Sequence, residues 1–132
     1  MGAKLKYSST STQESVDIWL NQFWEELFPG VYRCILAHNP TIMLMLVRMA
    51  PGAIVPMHKH IHLQAGILLE GSLLFKTESG ERVLREGESY LIKSFEPHEV
   101  ENVGDEDAIA LDIFTPRRED YLSAARPPDL NI

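Results

Sequence analysis

From residue 31 onward the chain alternates short apolar runs with turn residues, a texture that predicts strands. Runs rich in aliphatic, aromatic and β-branched residues cover residues 31–37, 42–49, 54–60, 63–69, 72–77, 81–84, 89–92, 98–103 and 108–114. Asn39-Pro40, Pro51-Gly52, Glu70-Gly71, Ser79-Gly80, Glu86-Gly87 and Gly104-Asp105 separate them, each pair being suited to a tight reversal of the chain. Many short strands at such spacing specify an all-β sandwich or barrel. The stretch from Ile42 to Val47 is apolar at every position, which requires cover on both faces of its sheet.

The N-terminal part has a different period. Val16, Trp19, Leu20, Phe23, Trp24 and Leu27 recur at helical spacing and define one apolar face, ended by Pro29-Gly30. Ser11 and Glu14 have the spacing of a capping box, in which a hydroxyl and a carboxylate each satisfy an orphan backbone donor. The expected organisation is a flexible leader over residues 1–10, an amphipathic helix over 11–30 and one β domain over 31–132. The helix carries both tryptophans, so its face must dock on the domain's own strands or on a second subunit. A short helix is expected from residue 118 to 125, before Pro127-Pro128.

With 132 residues the chain holds a single core. Twelve Lys and Arg against nineteen Asp and Glu give a net charge of −7, which argues against a nucleic acid or an anionic membrane as partner. Cys34 is the one cysteine; within its apolar run it reads as a small buried hydrophobe, and no disulfide is possible inside the chain. The run 42–47 is too short to cross a bilayer and the first fifteen residues are polar, so the expected location is the cytoplasm.

Three of the five histidines, His58, His60 and His62, fall within five residues. On a strand, residues two apart share a face, so His58 and His60 project toward one ion; a lone histidine is usually a core residue, but a His-x-His pair is a chelate. Gln64 offers a neutral oxygen four residues after His60, and Pro97-His98 opens a distant strand with Asn102 four residues on. His62 shares the parity of the pair but falls where the chain is expected to turn, and is read as a supporting or exposed residue. His38 reads as a turn residue. The acidic stretch from Glu96 to Asp107 contains no Lys or Arg and reads as a solvated face.

Together these residues resemble a known pattern. The segment Gly52-x5-His58-x-His60-x3-Gln64-x6-Gly71 resembles the first motif of the cupin superfamily, with glutamine in place of the usual glutamate, and Gly87 through Pro97-His98-x3-Asn102 resembles the second. The family's proline near position 93 is Lys93 here, and the inner glycine of the second motif is missing. The resemblance implies a small jelly-roll barrel in which His58, His60, Gln64 and His98 converge on one divalent transition metal. Three imidazoles and an amide suit Zn, Ni, Fe, Mn or Cu.

Within that superfamily, His58-x-His60-x-His62-x-Gln64, Glu70-Gly71 and the run from Asp112 to Asp120 are similar to the KdgF-type pectin-degradation cupins. The resemblance implies an enzyme that opens a 4,5-unsaturated uronate to the linear keto-sugar acid, with Asp112 and Phe114 beside the metal and Arg118 after the Thr-Pro turn. Asp112 shares strand parity with Phe114 and is the candidate for proton transfer. Arg118 or Arg117 would clamp the substrate carboxylate; without the resemblance both arginines read as surface ion pairs with Glu119 or Asp120. The implied partner is a small anionic sugar or organic acid, which the net charge permits because a buried cation makes a local positive site. The competing functions are a cupin dioxygenase using iron or copper and a non-catalytic sugar-binding module. Small cupins commonly pair through sheet edges, so a homodimer is expected.

Overall fold

The computed structural model describes residues 24–122. Ten strands and one short helix follow in order: β1 (Glu25–Phe28), β2 (Val31–Asn39), β3 (Ile42–Met49), β4 (Ile54–His58), β5 (Leu63–Glu70), β6 (Ser72–Thr77), β7 (Gly80–Arg85), β8 (Ser89–Ile92), β9 (His98–Glu101), β10 (Ala108–Thr115) and α1 (Glu119–Leu122). They form a six-stranded sheet ordered β1-β2-β3-β10-β5-β8 and a four-stranded sheet ordered β4-β9-β6-β7. Every strand pair is antiparallel, as expected of a jelly roll.

Strand alternation explains the two apolar faces of β3. Met43, Met45, Val47 and Met49 enter the main core with Leu73, Phe75, Leu84 and Val100 of the facing sheet. Leu46 instead joins Cys34 and Ile109 in a second buried cluster, with Trp24, Leu36, Leu69 and Leu111 packed around it. Burial raises the Cys34 thiol to about 11, so it stays a protonated hydrophobe.

The end of the expected N-terminal helix is a strand. Residues Glu25–Phe28 pair with β2, with Glu25 opposite Arg33, and the Arg33 guanidinium meets the Glu25 carboxylate at 3.1 Å. Without this hairpin β2 would present an unpaired edge, so main-chain pairing outweighs the helical spacing of Trp24 and Leu27. Gly30, at φ 78°, makes the turn that closes it. The leader over 1–10 and the helix positions 11–23 lie outside the described residues, as does the end of the C-terminal helix, of which Glu119–Leu122 is helical.

Register carries the fold to the site. Met45, Asp112, Gly66 and Tyr90 form one row across β3, β10, β5 and β8, and Met43, Phe114, Gln64 and Ile92 form the row beside it. Asp112 and Phe114 are both buried on the inward side, as their parity predicts.

Candidate metal centre

His58, His60 and His98 come together, with one ring nitrogen from each within 4.8 Å of the others. His58 ends β4 and lies opposite His98, the first residue of β9. His60 is not on the strand, as its spacing had suggested. It lies in the connection beyond β4, and it is the chain's turn there that brings its ring to 5.5 Å from His58 and 5.1 Å from His98.

Backbone carbonyls set the protonation of all three rings. The Nδ1 of His58 lies 2.7 Å from Pro56 O, that of His98 2.8 Å from Glu96 O, and that of His60 3.0 Å from His62 O. A carbonyl only accepts, so each Nδ1 carries the proton and each Nε2 keeps its lone pair. His98 Nε2 is buried and has no hydrogen-bond partner. An acceptor left bare in that way, among two others of the same kind, fits a cation.

The electrostatics agree. Burial, then the neighbouring His98, lowers His58 to about 4; burial, then the Arg118 guanidinium, lowers His60 to about 3. Burial also lowers His62 and His98. These imidazoles are neutral at pH 7, the form that ligates. Below the ordinary value of 6.5 the unfolded chain binds protons that the folded one refuses. Metal-free protein is therefore expected to lose thermal stability steadily from pH 6.5 toward 4. Melting temperatures across that range, compared with a His60→Gln variant whose curve is flatter, check this.

Gln64 reaches the same point from β5, its Oε1 3.1 Å from His60 Nε2. With His60 Nε2 an acceptor, two lone pairs face each other, a second feature that fits a cation between them. The Gln64 carboxamide also faces Asp112 on the neighbouring strand and favours its ionised form, as its NH₂ end would with its oxygen toward the rings. Asp112 Oδ1 also accepts a hydrogen bond from the Tyr90 hydroxyl. Burial nevertheless raises Asp112 to about 6, against the lowering effects of the Tyr90 hydroxyl, the Gln64 amide and Arg118.

Phe114 presents its ring edge-on to His60, with centroids 5.8 Å apart. Arg118 is only 1% exposed and lies over both Phe114 and Tyr121. Its Nε and Nη2 are held by Asp120 at 3.1 and 2.9 Å, so this pair is buried in the cavity wall, unlike the surface pair its sequence neighbourhood suggested. Arg117 is the one at the surface, bonded to Glu119 and His38. His62 lies beside the triad but outside it, its ring 5.4 Å from His60. Asn102, also in the second motif, is structural: its buried amide bonds Met49 O and Glu106 O.

The missing inner glycine has a visible consequence. Phe95 occupies the turn before His98 at φ 62°, and its N–H donates to His60 O at 2.7 Å. A side chain in the left-handed region costs about 1–2 kcal/mol, and this ring is exposed and recovers little by packing. Phe95→Gly is expected to leave stability unchanged or raise it by up to about 1 kcal/mol, after the extra freedom glycine gives the unfolded chain. Urea unfolding measures it; a loss larger than that would assign the ring a packing role.

Tyr90 and the carbonyl locks were not read from the sequence. Tyr90 stands on β8 with inward parity but at an unspecified position of the second motif, and carbonyl partners leave no mark in residue types.

The chain is similar to a known family, a curated relative and two solved structures. The model of the cupin domain family matches residues 45–114. The pectin degradation protein KdgF of Dickeya dadantii (strain 3937) is 36% identical over 100 residues, covering 75% of this chain and 90% of that protein. Among solved structures, KdgF from Halomonas sp. superposes with a TM-score of 0.73 at 29% identity, covering 77% of this chain and 93% of that one. An RmlC-like cupin from Shewanella frigidimarina does so at 0.72 and 25% identity, covering 77% and 90%. Among the described residues no helix is long and apolar enough to cross a membrane.

Proposed function

The chain belongs to the cupin family, and from that membership we propose that it is a metal-dependent enzyme opening the ring of a 4,5-unsaturated uronate to the linear keto-sugar acid. The observation that carries the reading is the convergence of three imidazole lone pairs with the Gln64 carboxamide oxygen, beside a buried acid and a buried cation. His58, His60 and His98, through Nε2, and Gln64, through Oε1, would hold the ion. When bound, a divalent ion supplies Lewis acidity toward the oxygens of the sugar.

The remaining chemistry falls to the chain's own groups. Asp120 occupies Nε and Nη2 of Arg118, so Nη1 is the nitrogen left to donate to the substrate carboxylate. The Phe114 ring walls the cavity, excludes water and offers an apolar face to the sugar. Asp112 takes the proton of the anomeric hydroxyl. The bond from C1 to the ring oxygen then breaks, its electron pair stays on the ring oxygen, and the resulting enolate takes a proton at C4 to become a ketone. One proton is removed and one returned, so a single carboxyl held near 6 serves both steps at neutral pH.

Both the Dickeya and the Halomonas relatives bear the KdgF name, which supports this substrate class over an oxygenase. The test follows the ultraviolet absorbance of the C4–C5 double bond conjugated to the carboxylate, using tag-free, metal-loaded protein. The expected result is loss of absorbance well above the spontaneous rate, abolished by a chelator and without oxygen uptake. No acceleration over the spontaneous rate would reject the assignment. Oxygen uptake would point to the oxygenase instead, and binding without turnover to a sugar-binding module.

A further inference from the structure

Tyr90 is half-buried in the cavity wall, and nothing in the chemistry described so far uses it. Its position follows from the register. In the row Asp112–Gly66–Tyr90 the middle residue has no side chain, and a Cβ built there would lie 2.2 Å from Tyr90 Cζ and 2.3 Å from its hydroxyl oxygen. The ring therefore occupies the space over Gly66, and its hydroxyl reaches a carboxylate two strands away. Phe75 of the facing sheet stacks against the same ring, with centroids 4.5 Å apart, and holds it down.

We propose that Tyr90 is a positioning residue: across the gap at Gly66 its hydroxyl pins the Asp112 carboxylate, and through it orients the Gln64 carboxamide toward the three imidazoles. The expected effect of Tyr90 on turnover rests on the ring-opening reading; the hydrogen-bond chain itself stands apart from it.

An aspartate side chain on a strand turns about two torsions, and a carboxamide can face either way. The Tyr90 bond fixes the carboxylate. A carboxylate only accepts, so the Gln64 group facing it must be the NH₂ end, which leaves the oxygen for the site. A hydroxyl removed from water is retained at a cost unless its bond is used, and phenylalanine would pack the same space without that cost. This also gives glutamine at position 64 a physical reason. A glutamate there would place a second anion against Asp112 and could not donate to it.

The test is Tyr90→Phe in zinc-loaded, tag-free protein. The expected kinetic result is a kcat on the unsaturated uronate about tenfold or more below wild type, with KM within twofold, zinc content unchanged and melting temperature within a few degrees. Loss of the hydroxyl without loss of turnover would overturn the proposal, as would a rise in KM alone. The second readout needs no turnover. The side-chain amide protons of Gln64 are expected to exchange slowly with solvent in wild-type protein by nuclear magnetic resonance and markedly faster in the variant; equal rates in both would overturn the chain of contacts. If wild-type protein turns over no uronate, the functional reading fails and the amide exchange alone decides. Should the variant not fold, the wild-type protein still decides: a Tyr90 hydroxyl proton protected from exchange in wild type and lost in Asp112→Ala supports the proposal, and its absence in wild type refutes it.

Discussion

Asp112→Asn is expected to lower kcat on the unsaturated uronate by about 10²–10⁴-fold, the usual contribution of a positioned acid–base group, while the protein still binds its metal. Asparagine keeps the shape and an oxygen for the Tyr90 hydroxyl, but it cannot take up the proton of the anomeric hydroxyl. The same change has the opposite sign for stability. Burial raises the folded carboxyl to about 6, above its ordinary 3.8, so its ionisation opposes folding. That penalty is fully present above pH 6 and disappears as pH falls toward 4. Metal-free Asp112→Asn should therefore melt above wild type at pH 8 and with it at pH 4. An inactive variant that is also more stable at pH 8 is the signature of a strained functional acid. A variant retaining more than about a tenth of wild-type kcat would remove Asp112 from the chemistry.

His98→Ala is expected to abolish stoichiometric metal binding and bring turnover to background. His98 is 1% exposed and its Nε2 faces no protein donor, so its deletion removes one of three imidazole ligands and leaves a hole. Losing even a residue that only supports a ligand weakens metal affinity by about 10–100-fold, and a ligand itself should exceed that range. Titration calorimetry with zinc, with wild type and His38→Ala alongside, checks it. His38 bonds Arg117 at the surface and should bind as wild type does. An unchanged affinity in His98→Ala would place the ion elsewhere.

What the sequence made legible depended on how local each feature is. Turn pairs and period-two alternation are local, and they placed β3, β6 and β8 as the structure has them. The strand β1 escaped because four residues are too few to show a period, while Trp24 and Leu27 continued a helical one; what decides its conformation is β2, which follows it. The clustered histidines were legible because the cupin motifs place them, but His60 comes in through a turn and not through strand parity. Arg118 illustrates a limit of spacing. Its pair with Asp120 is local, but the burial of that pair depends on Phe114 and Tyr121 around it. Tyr90 was legible from no local feature, because its role arises from register across three strands and from the empty position at Gly66.

Four side chains from two distant segments are expected to hold one divalent ion at their Nε2 and Oε1 atoms. Anomalous diffraction at a metal absorption edge, from crystals of tag-free protein, tests it most directly. One peak per chain is expected, within about 2.0–2.2 Å of Nε2 of His58, His60 and His98, with the Gln64 oxygen turned toward it. No peak in metal-supplied crystals, or a peak ligated through Nδ1 or by other residues, would contradict it.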